Sequence, residues 1–466
     1  MIRLGVGVAA ISHFALAVPA APAPATPWKV GVATRKITPA GPIWLAGYAS
    51  RTAPSDGVEL DVFAKALALD DGQGGRVVIV TLDLVGVTAA LRTFVEREAA
   101  QRFQLKPSQI LLNASHTHSG PQVSPDRMVL EHAFSRLASP AEIEAVNQYE
   151  TFLQKTVVEL IGESIRTAVP GALEFSQARA GFAMNRRRLE PNGEYTNNPN
   201  PAGPIDHDVP VLKVTTSDGK IRALLFGYAC HNTTLSGSRI SGDYAGEAQR
   251  NLETSYPGAT ALFMMGCGGD QNPYPRRIIT DPSAGSLVQQ HGRALSNAAA
   301  TALMTRMRKI EPPLRTAYDH ANLSYQPLSK AELETYQVGK FTPAVKARAQ
   351  ALMEMATKGT PLPPLPCPVQ VLQFGRDLTL IAIGGEVVVD YSLRLKKELQ
   401  GPTAIWVAGY SNNVFGYLGS RRVIAEGGYE GGGANTRILN HPGRFTLEAE
   451  DTVIAKVHEL HRQVQP

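Results

Sequence analysis

Two histidines, His116 and His118, stand one residue apart between an apolar run over 110–114 and a Gly120-Pro121 turn. Residues two apart on a strand share a face, so both imidazoles can look into one pocket while Thr117 faces away. Neutral imidazole is a common zinc ligand, and a catalytic zinc takes three protein ligands and keeps a position for water. The pair is equally compatible with two hydrogen-bonded histidines at a strand end, so the rest of the chain must decide. Further candidates are His231, Asp243, Asp270 after Gly268-Gly269, Glu386 after Gly384-Gly385, and Tyr429 within Gly427-Gly428-Tyr429-Glu430-Gly431-Gly432-Gly433. Each has a plainer reading alone: His231 as a core histidine, the three acids as complements to helix N-termini, and Tyr429 as a loop anchor. Together they place potential ligands at equivalent ends of three similar units, which coincidence explains poorly.

Those units are strand, helix, strand. Residues 76–83 form an apolar strand run, 88–103 carry helical spacing at Leu91, Phe94, Val95 and Ala99, and 109–114 lead into the histidine pair. The pattern returns as strand 221–229, helix 245–252 and strand 259–265, which precedes Asp270. It returns again as strand 378–383, which ends at Glu386, then helix 387–399 and strand 403–408. Earlier strands are expected over 28–37 and 64–70, an amphipathic helix over 344–356, and a last helix over 448–464. Ligands of α/β sheets bind beyond the carboxyl ends of the strands, where His116, His118, His231, Asp270 and Glu386 all fall. The reading is an α/β fold of mixed sheets flanked by helices, with its metal site at those ends. Long Pro/Asn/Gly stretches at 119–125, 186–206, 273–285 and 416–440 follow site strands and suit lids. Residues 361–368 read as a plain connector.

Composition sets the bounds. With 466 residues, 43% of them hydrophobic and 19% charged, the chain is an ordinary globular protein with a formal charge of +5. Arg186-Arg187-Arg188 and Arg421-Arg422 are the tight basic clusters, too short for a nucleic-acid stripe. The three cysteines, Cys230, Cys267 and Cys367, lack Cys-x-x-Cys spacing and allow at most one disulfide. Arg3, an apolar run over 4–18 and an Ala/Pro tract to Pro27 read as a secretory signal and linker over 1–27. Secretion or a periplasmic location is therefore expected. No later run is long and apolar enough to span a bilayer, which leaves transient contact with a membrane surface.

Asn113-Ala114-Ser115-His116-Thr117-His118-Ser119-Gly120-Pro121, Tyr228-Ala229-Cys230-His231-Asn232, Ser241-Gly242-Asp243, Gly268-Gly269-Asp270, Gly385-Glu386 and Tyr429-Glu430-Gly431, in that order, resemble the catalytic domain of the neutral/alkaline non-lysosomal ceramidases. The likeness runs from about Val30 to the C-terminus. It implies a zinc amidase acting on an N-acyl lipid, with one zinc held by His116, His231, Glu386 and Tyr429. It also implies His118 beside the metal and Arg186 of an Asn185-Arg186 pair in the pocket. On that reading zinc lowers the pKa of a bound water and polarises the carbonyl. His118, titrating near neutrality, carries the proton to the departing amine. Arg186 neutralises the oxyanion, and Asp270 or Asp243 orients a histidine.

Two features depart from the family. Asn272 stands where the family carries a serine that touches the substrate, and asparagine cannot serve as an alkoxide nucleophile. The chain also stops at Pro466 without the family's C-terminal immunoglobulin-like domain, so 28–466 reads as a single catalytic domain. Three readings stay open: a ceramidase, a hydrolase of another N-acyl amide or ester, and a non-catalytic metal- or glycan-binding protein on the same scaffold. The missing Gly-x-Ser-x-Gly argues against a serine hydrolase.

Overall fold

The computed structural model describes residues 1–2, 28–124, 137–276, 284–339, 343–438 and 441–465. Except for its first two residues, the expected leader lies outside these, as do parts of the stretches at 119–125, 273–285 and 416–440. Among the described residues no helix is long and apolar enough to cross a membrane.

Among the described residues nine strands form the larger sheet: β1 (Trp28–Lys36), β2 (Phe63–Asp70), β3 (Arg76–Leu82), β4 (Ile110–Ala114), β5 (Val169–Arg179), β6 (Asp208–Thr216), β7 (Ile221–Tyr228), β8 (Thr260–Met265) and β9 (Arg308–Ile310). The spatial order is β8-β7-β6-β5-β1-β2-β3-β4, with β9 also on β5. The β3/β4 and β7/β8 pairs are parallel and the others antiparallel. A second sheet runs β10 (Leu314–Leu323), β11 (Leu365–Phe374), β12 (Leu378–Ile383), β13 (Ala404–Ala408), with only the last pair parallel.

A parallel pair needs a crossover, usually helical, and each of the three has one: α1 (Ala89–Phe103), α3 (Asp243–Ser255) and α5 (Val389–Glu398). The three repeated units are therefore real. Thr88 caps α1 through Leu91 N–H at 3.1 Å, and Leu91, Val95 and Ala99 are the buried stripe. The sequence reading overlooked α2 (Pro140–Arg166), although Ser139 and Glu142 form a capping box with Pro140 at the first turn. It also overlooked α4 (Ala284–Met304) and the antiparallel strands β5, β6 and β10. The C-terminal helix is α6 (Ala449–Val464).

The two sheets pack face to face. Val30, Leu67, Ile79, Leu173 and Leu225 of the first meet Leu372, Phe374, Leu380 and Trp406 of the second in one buried cluster. Outside them, α1 and α2 cover one end of the large sheet, α3 and α4 the other, and α5 and α6 the small sheet. Sheets flanked by helices are thus what the chain forms. The large sheet curls until its edges β4 and β8 meet, where Asn113 Nδ2 donates to Met265 O and Met265 N–H donates back to Asn113 Oδ1 at 2.8 Å. Asn113 Nδ2 also reaches Gly409 O, just past β13, at 2.8 Å. One buried amide thus ties together the carboxyl ends of all three units.

Two loop readings need correction. Residues 365–368 begin β11 and are no mere connector. The 186–206 stretch contains a hairpin of Arg187–Leu189 on Tyr195–Asn197, and 416–440 contains a strand, Tyr417–Leu418, and a short helix, Arg421–Glu426. Short two- and three-residue pairings are invisible to periodicity, which needs longer windows.

Candidate metal centre

His116 leaves β4 in the left-handed region, φ +62°, its N–H donating to Leu84 O. The turn swings its ring inward, and Nδ1–H donates to Val85 O at 2.6 Å. His231 repeats the arrangement after β7, with Nδ1–H donating to Gly268 O at 2.7 Å. Gly268 has to be glycine, because a Cβ there would lie 2.7 Å from Cys230 N. In both rings the carbonyl fixes the tautomer and leaves the Nε2 lone pair facing the site, the supporting bond that metal-ligating histidines characteristically make. His118 N–H donates to Asn232 O at 3.2 Å, and Asn232 Nδ2 to Ser115 O at 2.5 Å, stitching the first unit to the second. Glu386 follows β12, with its N–H on Gly416 O at 2.7 Å.

These side chains converge. The nitrogens of His116, His118 and His231 lie within 4.8 Å of one another, close enough to hold a metal ion. His118 Nε2 is 3.1 Å from His116 Nε2. Glu386 Oε2 is 3.1 Å from His116 Nε2 and 3.6 Å from His231 Nε2. Burial, and next the Arg186 charge, push His231 down to about 3, which keeps the neutral ring that ligation requires. Burial would raise Glu386, but His116 and His231 outweigh it and hold the carboxyl well below its ordinary range. Burial, then His116 and His231, hold His118 well below 6.5. The expectation that His118 titrates near neutrality is therefore not met, because it shares a desolvated space with two other imidazoles.

The phenol beside this cluster belongs to Tyr417. Its Oη is 3.2 Å from His231 Nε2 and accepts from Arg186 Nη2 at 2.8 Å. A two-residue parallel pairing sets Glu386 directly alongside Tyr417. Tyr429, the phenol expected from the sequence, is 41% exposed, and its ring lies edge-on to that of Tyr417 at 5.2 Å. The physical reason is the loop between them, which turns Tyr429 outward and Glu430 inward. Tyr410, also overlooked, is fully buried with its ring 4.5 Å from that of His116.

Arg186 and Asn272 both reach the site. Arg186 is buried and donates through Nε to Glu430 Oε1 (2.7 Å), through Nη1 to Asn272 Oδ1 (3.2 Å) and through Nη2 to Tyr417. Asn272 Nδ2 donates to Asn197 Oδ1 at 3.0 Å, so the amide is committed at both ends. Cys230, Cys267 and Cys367 are all buried and unpaired.

Neither Asp243 nor Asp270 orients a histidine, since carbonyls do that work. Asp270 Oδ1 accepts from Val389 N–H at the start of α5, and Oδ2 accepts from Asn185 Nδ2 at 3.0 Å. Arg186 N–H also donates to Asp270 O, so Asp270 locks the Asn185-Arg186 pair in place. Asp243 accepts from the N–H groups of Leu235 and Tyr244. Burial pushes both carboxyls up to about 6, against the backbone bonds that lower them. A raised carboxyl contributes stability that is present below the ordinary carboxylate range and is lost as pH rises through about 6. Carbon-13 resonances of these two carboxyls should accordingly titrate near 6. An unfolded reference would titrate near about 4.

Gly47 and Tyr48 form a wall that no local motif marks. Tyr48 lies edge-on to His118 at 4.8 Å and donates to Leu235 O at 2.8 Å. Gly47 has φ +97°, and a Cβ on it would come 2.5 Å from the His118 ring. Gly47→Ala is expected to shift that ring and cut kcat by about 100-fold, the scale of a misplacement near 1 Å. Metal content should hold, and steady-state kinetics with metal analysis would check both.

A family model described as neutral/alkaline non-lysosomal ceramidase, N-terminal, matches residues 28–273. The neutral ceramidase of Pseudomonas aeruginosa is 26% identical over 263 residues, covering 53% of this chain and 37% of that protein. The matched part thus spans well under half the length of that curated relative. The crystal structure of neutral ceramidase from Pseudomonas aeruginosa superposes with a TM-score of 0.72 at 19% identity, covering 94% of this chain and 75% of that one. A ceramidase complexed with C2 gives a TM-score of 0.72 at 17% identity, covering 95% and 76%. At such identities the superpositions speak to the fold. The sequence match extends over more than half of the chain and takes in His116, His118, His231 and Asn272, and by it the chain belongs to the neutral/alkaline non-lysosomal ceramidase family.

Proposed function

We propose that this chain is a zinc-dependent amidase that hydrolyses the N-acyl bond of a ceramide-type lipid, releasing a fatty acid and a sphingoid base. The observation that carries the reading is the convergence of three imidazoles and a carboxylate, with His116 and His231 each fixed through Nδ1 by a backbone carbonyl. His116, His231 and Glu386 would hold the ion, with Tyr417 rather than Tyr429 as the nearby phenol. When bound, zinc supplies a Lewis acid for the amide carbonyl and lowers the pKa of water.

The remaining work falls to the chain. His118, held neutral, has its lone pair available at physiological pH to take a proton from the attacking water and return it to the departing amine. Arg186, anchored on three sides, keeps a fixed positive charge beside Tyr417 and favours the developing oxyanion. Asn272 supplies no nucleophile, and its two hydrogen bonds make it a brace for Arg186, so water is the attacking group. The ceramide assignment draws support from membership of the neutral/alkaline ceramidase family. Another N-acyl amide or ester remains the second reading, favoured by the commitment of Asn272 to Arg186 and Asn197. Export through the leader over 1–27 belongs to the same proposal.

The test is metal analysis of purified protein together with turnover of a fluorogenic N-acyl-sphingosine. About one zinc per chain with turnover supports the reading. Zinc without turnover discards ceramide and directs assays to shorter N-acyl amides and esters, whereas protein that binds no zinc refutes the metallohydrolase.

A further inference from the structure

Arg186 and Arg187 are consecutive and both buried, 3% and 2% exposed. Two adjacent cations out of water are tolerated only if paired. Glu430, 3% exposed, supplies the pairing from a distant part of the chain, giving Oε1 to Arg186 Nε at 2.7 Å and Oε2 to Arg187 Nη1 at 2.8 Å. The two arginines differ in what else they hold. Arg187 turns away to Glu426 Oε2 and Gly427 O, at 3.1 and 2.9 Å. Arg186 turns inward to Asn272 and Tyr417. Glu430 on Nε and Asn272 on Nη1 fix two points of the planar guanidinium, so the third, Nη2, has to point at Tyr417 Oη. Of the three side chains on Arg186, Glu430 alone is a carboxylate.

The glycines around Glu430 explain how it gets there. Gly427, Gly428 and Gly432 have φ of +71°, +73° and +123°, conformations that side chains resist. A Cβ on Gly431 would lie 2.5 Å from Val423 O. The segment folds tightly enough to lower one carboxylate into the interior while its neighbour Tyr429 stays exposed.

We propose that Glu430 is the positioning residue for Arg186: it sets the guanidinium against Tyr417 and so tunes the chemical step, while its bond to Arg187 serves the fold. The inference rests on the reading of Arg186 as part of an amidase site. Glu430→Gln leaves one acceptor for two arginines, and Glu430→Asp keeps the charge but shortens the reach. Both are expected to lower kcat by about 10- to 100-fold, the range for residues supporting a metal site, with KM within threefold and zinc content unchanged. Arg187→Gln removes the other half of the same bridge. It is expected to lower Tm as much as Glu430→Gln does and yet retain kcat within threefold.

Crystal structures of the metal-free Glu430 variants supply a readout independent of turnover, in which Arg186 Nη2 should have left Tyr417 Oη. If kcat falls in proportion to Tm in all three variants, or if the Arg186–Tyr417 contact survives in whichever Glu430 variant folds, the proposal is overturned. Wild-type protein inactive on every N-acyl substrate would refute the amidase reading instead, and the crystallographic comparison would still decide the role of Glu430.

Discussion

His116→Ala, under the proposed zinc-amidase function, is expected to abolish metal binding and to cut kcat/KM by more than about 100-fold, beyond the 10- to 100-fold that loss of a supporting partner costs. The reason is geometric. His116 Nε2 lies 3.1 Å from both His118 Nε2 and Glu386 Oε2, so removing it takes away the atom that the other candidates surround. It also leaves the buried Glu386 carboxylate without the neighbour that lies 3.1 Å from its Oε2, which worsens the site beyond the loss of one ligand. Atomic absorption on dialysed protein and turnover of an N-acyl-sphingosine would measure both effects. A variant that kept a full complement of zinc would show that the metal sits elsewhere.

Tyr417→Phe is expected to produce the second largest loss, about 10²- to 10³-fold in kcat/KM if the phenol acts as a preorganised polar group at the reaction centre. Its oxygen is the bridge between Arg186 and His231, so deletion separates the guanidinium from the imidazoles. Tyr429→Phe, at an exposed position, should stay within about 0.5 kcal/mol of wild type, roughly twofold. Kinetics on the two variants side by side decide between the phenols. Equal losses would mean that Tyr429 swings inward in the working enzyme, and a loss confined to Tyr429→Phe would return it to the metal.

This contrast shows where the sequence is legible. The three strand-helix-strand units could be read because each strand is a continuous apolar run and each helix has a clear stripe, as at Leu91, Val95 and Ala99. The ends of those units delivered His116, His231 and Glu386 to one place. Tyr417 escaped because nothing local distinguishes it from Tyr429, both of which follow a glycine. What selects Tyr417 is a two-residue pairing with Glu386, far upstream in the chain. Glu430 escaped for a related reason. A glutamate among glycines reads as a solvated loop, and only its contacts with Arg186 and Arg187 reveal a buried counter-ion. The acids Asp243 and Asp270 are legible as site-proximal, but their roles depend on which backbone groups point at them. Helix α2 differs, since its start is marked locally by the Ser139–Glu142 capping box.

The tie between the three units at Asn113 also governs how the protein must assemble. Its partners, Met265 and Gly409, come from the second and third units, so neither the tie nor the ligand set exists until nearly the whole chain has collapsed. Such a topology pays loop-closure entropy early and is rewarded late, which slows folding. Any ion that the finished site binds and the unfolded chain does not will draw the folding equilibrium towards the native state, by about 4.1 kcal/mol at a thousandfold excess over its Kd. Metal supply would then set the steady-state amount of folded protein as well as its activity, and chelation would shorten the lifetime of the whole molecule.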